Sequence, residues 1–273
     1  MALAEHQRRE ASSLAPLSLR RRRLIDRPIV WRLLSVMLFA AAWEIAGRIP
    51  ISFAFPTFSA TVAALYEMAV DGSLWRAYAI TLQPLVVGVV LSATLGVGLG
   101  ILFGLNRRSE WFGVPIFIVL QAAPVAALIP LITFMYGIGL AAKVLAVILL
   151  ALPVIVLNAY KAVRNVNANL VTMSRSFLGS RRQEIVKVIL PDASPVIFAG
   201  LRLGVAGGFI GVVLAELLIT PTGIGDLITY NRSIALYPKM YAAIASIIVL
   251  SALTLMALQW VELRVFRPDK RGG

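Results

Sequence analysis

The sequence predicts an all-α polytopic membrane protein with six transmembrane helices and one long cytoplasmic loop. Three observations carry that prediction. Of the 273 residues 59% are hydrophobic and only 14% charged, against about 25% charged in soluble domains. Six apolar runs are long enough to cross a hydrocarbon layer. Finally, 20 of the 26 Lys and Arg fall on one side of a six-span topology. Basic residues concentrate in the cytoplasm, so both termini and the long loop are placed inside.

Composition also excludes several functions. There is no cysteine, which removes disulfides and thiolate metal sites. The single histidine, His6, lies near the N-terminus, so His-based catalysis or metal binding is not expected. A net charge of +13 invites a nucleic-acid partner, but the side-specific distribution of the basic residues assigns that charge to membrane topology instead. No nucleic acid is expected, and no long polar segment suggests a separate soluble domain.

Residues 1–29 are polar and basic, with Arg8, Arg9, Arg20 to Arg23 and Arg27, and read as a cytoplasmic tail. The apolar run Ile29 to Ala46 is longer than a signal-peptide core and contains Trp43 and Glu44, so an uncleaved first span is expected at about 30–47. A short amphipathic helix on the outer surface follows Pro56, with Val62, Leu65, Tyr66 and Ala69 at helical spacing and Asp71-Gly72 as its stop.

The second span is expected at about 80–105. Ser92, Gly96, Gly100 and Gly104 recur every fourth residue, a stripe that lets another helix approach closely; packing within the chain is its favoured reading. The third, about 111–136, carries Pro115, Pro124 and Pro130 with Gln121 among them and reads as a kinked helix. Such a break is tolerated in lipid where protein or a water-filled cavity covers the freed backbone groups. A pathway wall and a kink made only for packing are equally good accounts of it.

The fourth span, about 142–160, leads into the stretch 165–191. Within it Leu170, Val171, Ser174, Phe177 and Leu178 line one helical face. Gly179 is expected to break that helix, a second short helix to present Ile185, Val188 and Ile189, and Pro191 to close it. A chain that only reverses direction needs a few residues. About thirty, with an apolar face flanked by charge, suit a helix lying against a soluble partner; rest on the lipid surface is the alternative.

Ser194-Pro195 reads as an N-cap and first turn for a fifth span at about 196–218. Its glycines form two small-residue faces, one with Gly200, Gly204 and Gly208, the other with Gly207, Gly211 and Ala215. It also holds Arg202 and Glu216, each costing about 2.5–3.5 kcal/mol on insertion scales. Fourteen residues apart, they cannot pair with each other. Arg202 is placed to snorkel at the inner end, and Glu216 near the outer end either caps structure or faces a pathway. A short helix is expected in the outer loop 219–240, a sixth span at about 241–261, and a cytoplasmic tail at 263–273.

Several stretches together resemble the permeases of ABC importers, in the sulfonate, nitrate and taurine branch. They are Gly72-Ser-Leu-Trp-Arg76, the segment Gln121 to Pro130, Tyr136-Gly-Ile-Gly139, Ile189-Leu-Pro191, Ala199-Gly-Leu-Arg-Leu203 and Thr222-Gly-Ile-Gly-Asp226. The family's cytoplasmic loop has Glu-Ala-Ala, three residues, Gly, and a later Leu-Pro pair. Leu190-Pro191 matches that ending; Thr172, Met173 and Ser174 stand where the family has Glu-Ala-Ala, Leu178 where it has Gly, and Gly179 falls one place late.

The resemblance implies a type I ABC importer permease fold whose long loop carries a coupling helix. It implies a second permease copy, a homodimer on the simplest account, with a cytoplasmic ABC ATPase dimer that binds ATP and Mg, an extracytoplasmic substrate-binding protein, and surrounding membrane lipid. No cofactor is expected on this chain. Ser174, Phe177, Leu178, Gly179, Ser180 and Arg181 are expected nearest the ATPase, with Phe177 and Leu178 filling an apolar groove and Gly179 permitting the turn. Gln121, Pro124 and Glu216 are the pathway candidates. A stand-alone secondary transporter or channel is the alternative; it would want several intramembrane acids or inverted repeats, and the chain offers only Glu216 and Glu44. Phosphate loops, paired carboxylates and nucleophile–base arrangements are absent from the sequence, so no chemistry is expected on it.

Overall fold

A computed structural model of the chain describes residues 28–49, 53–219 and 222–266, and among them there are helices and no strand. The expected tail at 1–29 and the end of the chain beyond 266 fall almost wholly outside the described residues. The chain divides into a short N-terminal unit that ends at Phe58 and a larger one that begins at Ser59. In the first, α1 (Pro28–Arg48) is apolar along its length. Trp43 fixes its end locally: the indole N–H donates to the Pro56 carbonyl at 3.1 Å and the ring meets Phe39 and Phe58 edge-on. Glu44 pairs with Arg48 one turn on, at 2.8 Å.

The larger unit runs α2 (Phe58–Val70), α3 (Ser73–Leu105), α4 (Arg107–Ala122), α5 (Val125–Tyr136), α6 (Leu140–Arg164), α7 (Ala168–Ser176), α8 (Arg181–Glu184), a π turn (Ile185–Ile189), α9 (Leu190–Leu218), α10 (Gly223–Ser233) and α11 (Tyr237–Phe266). Its centre is α6, on which α3 and α9 both pack. Small residues make this possible. A Cβ on Gly96 would lie 2.7 Å from the Ile155 side chain and one on Gly104 2.6 Å from Val163, while a Cβ on Gly207 or Gly211 of α9 would lie 2.9 or 2.8 Å from the α6 carbonyl oxygens of Leu150 or Ala146. The glycine stripes of α3 and α9 are thus consumed by packing within the chain.

The third span departs from a kinked helix: α4 and α5 meet at a bend of 100°. Only Pro124 breaks the helix; Pro115 and Pro130 lie inside helices. Ala123, the residue before Pro124, is extended (φ −65°, ψ 138°), as the clash of a proline ring with the preceding residue favours.

The fifth span also differs. Neither Pro191 nor Ser194 bounds it, because helix runs without interruption from Arg181 to Leu218, 38 residues. Two prolines within one turn would leave carbonyls without donors, and two local devices answer this. The π turn lies directly ahead of Pro191, with the Leu190 amide reaching back to Ile185, and it widens the helix where the ring would meet the preceding turn. The Pro191 carbonyl, which Pro195 cannot serve, accepts the Ser194 hydroxyl at 2.8 Å. Ser194 is therefore a plug inside the helix rather than its cap.

Candidate coupling surface and pathway

The loop between α6 and α8 is built from caps. Asn167 opens α7 by accepting the Asn169 amide at 2.9 Å. At the far end the Gly179 amide donates to the Ser174 carbonyl (3.1 Å) and the Leu178 amide to that of Arg175 (2.9 Å). This pair of bonds is a Schellman closure, whose key residue takes a left-handed conformation and is usually glycine. Here that residue is Leu178, at φ 55°. Gly179 is therefore not the residue that turns the chain, as the sequence suggested; it allows close approach, since a Cβ there would sit 2.9 Å from the Ser174 carbonyl oxygen. Ser180 then caps the next helix in a reciprocal box, accepting the Gln183 amide at 3.4 Å while its own amide donates to the Gln183 side chain at 2.8 Å. The spacing Ser180-x-x-Gln183 is the sequence signal of such a box.

This geometry divides the expected docking face. Val171 packs towards Ala162, Val163, Ile189 and Ala193, and Ser174 is half-buried. Phe177 and Leu178 lie beyond the end of the helix and project outward, 79% and 93% exposed. Ser180 and Arg181 are exposed beside them. Arg175 of α7 pairs with Glu184 of α8 at 3.0 Å, which holds the guanidinium still further above its ordinary value through that hydrogen bond.

The pathway candidates do not converge. Gln121 and Pro124 are exposed at the 100° bend. Beyond it, α5 packs through Val125 and Ile129 against Ala146 of α6 and Ala215 of α9. Glu216, next in the chain to Ala215, points into a different and closed set of partners. It is 1% exposed. Its carboxylate accepts Lys143 Nζ at 3.0 Å, the Thr81 hydroxyl at 2.9 Å and the Gly225 amide at 3.1 Å. The Thr81 hydroxyl in turn accepts the Ile224 amide at 2.9 Å, and Lys143 also donates to Thr222 at 2.8 Å. Helices α3, α6, α9 and α10 are tied at one point. Of the two roles the sequence left to Glu216, this buried and hydrogen-bonded geometry favours the structural cap. Gly223, at φ 77°, has no room for a Cβ against Glu216 and Thr81.

Lys143, near the start of α6, is only 4% exposed. Arg202 likewise does more than snorkel, for it pairs with the buried Glu262 of α11 at 3.1 Å. At the other end of α6, the Tyr160 hydroxyl donates to Glu110 at 2.6 Å and so fixes the start of α4.

Comparison with known proteins adds the following. Residues 94–267 match the family model described as "binding-protein-dependent transport system inner membrane component". A Bacillus subtilis (strain 168) permease, provisionally named for aliphatic sulfonates transport, is 30% identical over 86% of this chain and 86% of its own length. The taurine transport system permease of Escherichia coli (strain K12) is 28% identical over 71% of each chain. The nitrate import permease of Leptolyngbya laminosa is 28% identical over 73% of this chain and 72% of its own. Among solved structures, an inward-facing form of the MetNI methionine ABC transporter superposes with a TM-score of 0.56 at 18% identity, covering 72% of this chain and 97% of that one. At that identity the likeness is one of fold.

Proposed function

The chain belongs to the family of binding-protein-dependent transport system inner membrane components and is the membrane permease subunit of an ABC importer; from that premise we propose that it carries a small anion, in two copies, driven by an ATPase dimer docked on the loop 165–191. Sulfonates, taurine and nitrate, for which the relatives are named, share an oxyanion group. The substrate class follows from that shared chemistry. ATP and Mg belong to the partner subunit, and the chain's own part is mechanical. Delivery of solute falls to an extracytoplasmic binding protein, and both termini lie in the cytoplasm by the distribution of Lys and Arg.

The observation that supports docking most directly is the exposed pair Phe177–Leu178. Two large apolar side chains held out from the bundle by a capped turn, among Ser180 and Arg181, are suited to a groove on a soluble protein. Gln121 and Pro124, at an exposed break, are the side chains proposed to meet the solute. Reading the chain as a secondary transporter would need Glu216 as its coupling-ion site, and that carboxylate is already neutralised by Lys143.

Purification in mild detergent tests the proposal. A soluble ATPase should accompany the chain and be lost when Phe177 and Leu178 are both replaced by Asp. A chain that purifies alone and still moves solute in liposomes would overturn it.

A further inference from the structure

We propose that the Arg175–Glu184 ion pair is a positioning latch, fixing the docking helix α7 in one orientation on the long helix that begins at Arg181. The attachment of α7 is otherwise slight. It has nine residues, none of them buried, and an isolated helix of that length is marginal in water. Its side chains reach the bundle through Val171, in the cluster with Val163 and Ile189, and through Arg175. Glu184 is the opposite kind of group. Its side chain is only 6% exposed, and a carboxylate so covered needs a partner.

That partner is supplied in forked form. Arg175 Nε donates to Glu184 Oε2 at 3.0 Å and a terminal nitrogen to Oε1 at 3.3 Å, the two-point match that gives a guanidinium directional hold on a carboxylate. Arg181 stands further off, at 3.8 Å. The pair spans the Schellman turn and the Ser180 cap, so it closes the short connection between α7 and α8 into a ring. Because helix continues from Arg181 to Leu218, a push on α7 is delivered through Glu184 to the base of a helix on the order of 55 Å long. The latch's purpose rests on the docking proposed above; its existence does not.

The absence of cysteine allows one nitroxide to be placed at Ser176→Cys, on the exposed end of α7, and another, in a separate preparation, at Ser233→Cys on α10. Arg175→Gln and Glu184→Gln should each raise nitroxide mobility at position 176 and leave position 233 unchanged, which also verifies that the chain is folded. They should lower affinity for the co-purifying ATPase roughly tenfold, the order expected for one hydrogen bond to a charged group. Arg175→Lys, keeping the charge without the fork, should fall between. An unchanged spectrum at position 176 in both Gln variants overturns the latch. If the Gln variants free the label but the unsubstituted chain retains no ATPase, the latch stands and the docking it was assigned to serve falls.

Discussion

Leu178 is held at φ 55°, a conformation costing a non-glycine residue roughly 1–2 kcal/mol. The family's loop pattern has glycine at this place, so the strain is particular to a chain that puts a large apolar side chain there. Leu178→Gly should therefore have opposite effects on fold and on docking. Amide exchange at Gly179, whose N–H closes the turn on Ser174, should slow severalfold, since about 1 kcal/mol is a factor of five. Binding of the ATPase should weaken. If both improve, Leu178 is not a contact residue. The Glu216 cluster makes a second prediction at this scale. Glu216→Gln leaves Lys143 buried without its ion-pair partner, and breaking one side of such a pair costs about 3–5 kcal/mol, enough to lower the melting temperature of the detergent-solubilised chain sharply. The double change Lys143→Met with Glu216→Gln should recover much of that loss. A single Glu216→Gln that melts normally would mean the carboxylate is not the tie its geometry describes.

At the scale of elements, what was legible followed from periodicity, and what was not followed from proline. The apolar runs and the short helices at Phe58–Val70 and Gly223–Ser233 were readable because each has an apolar pattern and a stop. Pro115, Pro124, Pro130, Pro191 and Pro195 look alike in a sequence. Only Pro124 breaks a helix, and the reason is local: Ala123 goes extended, whereas a π turn and the Ser194 hydroxyl absorb Pro191 and Pro195. Partners across the fold were illegible for another reason. Lys143 and Glu216 are 73 positions apart, and nothing in either neighbourhood names the other. The bend itself can be tested. Pro124→Ala frees Ala123 to enter the helical region, so α4 and α5 should straighten towards one span. Spin labels at Phe112→Cys and Met135→Cys would then move from about 20 Å apart, across two legs of about 15 Å, towards about 35 Å along a single helix. An unchanged separation would assign the bend to packing of Val125 and Ile129 rather than to the proline.

At the scale of the whole molecule, the strong points and the soft points are segregated. The Glu216 cluster ties four helices where α9 ends, and α6 is wedged between α3 and α9 by glycine contacts that leave no slack. The loop 165–180 has no such core; caps, Val166 and Val171, and one ion pair hold it. On the docking proposed above, a push on the loop is expected to move the bundle as a body, because interfaces packed this closely do not deform gradually. Damage to the loop should therefore separate two measurements that damage to the bundle cannot. Phe177→Asp with Leu178→Asp should leave melting temperature within error, since both side chains are already in water, while the ATPase no longer co-purifies with the chain. Gly211→Leu should do the reverse of sparing stability. Its side chain would have to enter a space 2.8 Å from the Ala146 carbonyl, so melting temperature and transport should fall together. If the Asp pair destabilised the chain as much as Gly211→Leu, the loop would be part of the core, and the division of labour between a rigid bundle and an external handle would be wrong.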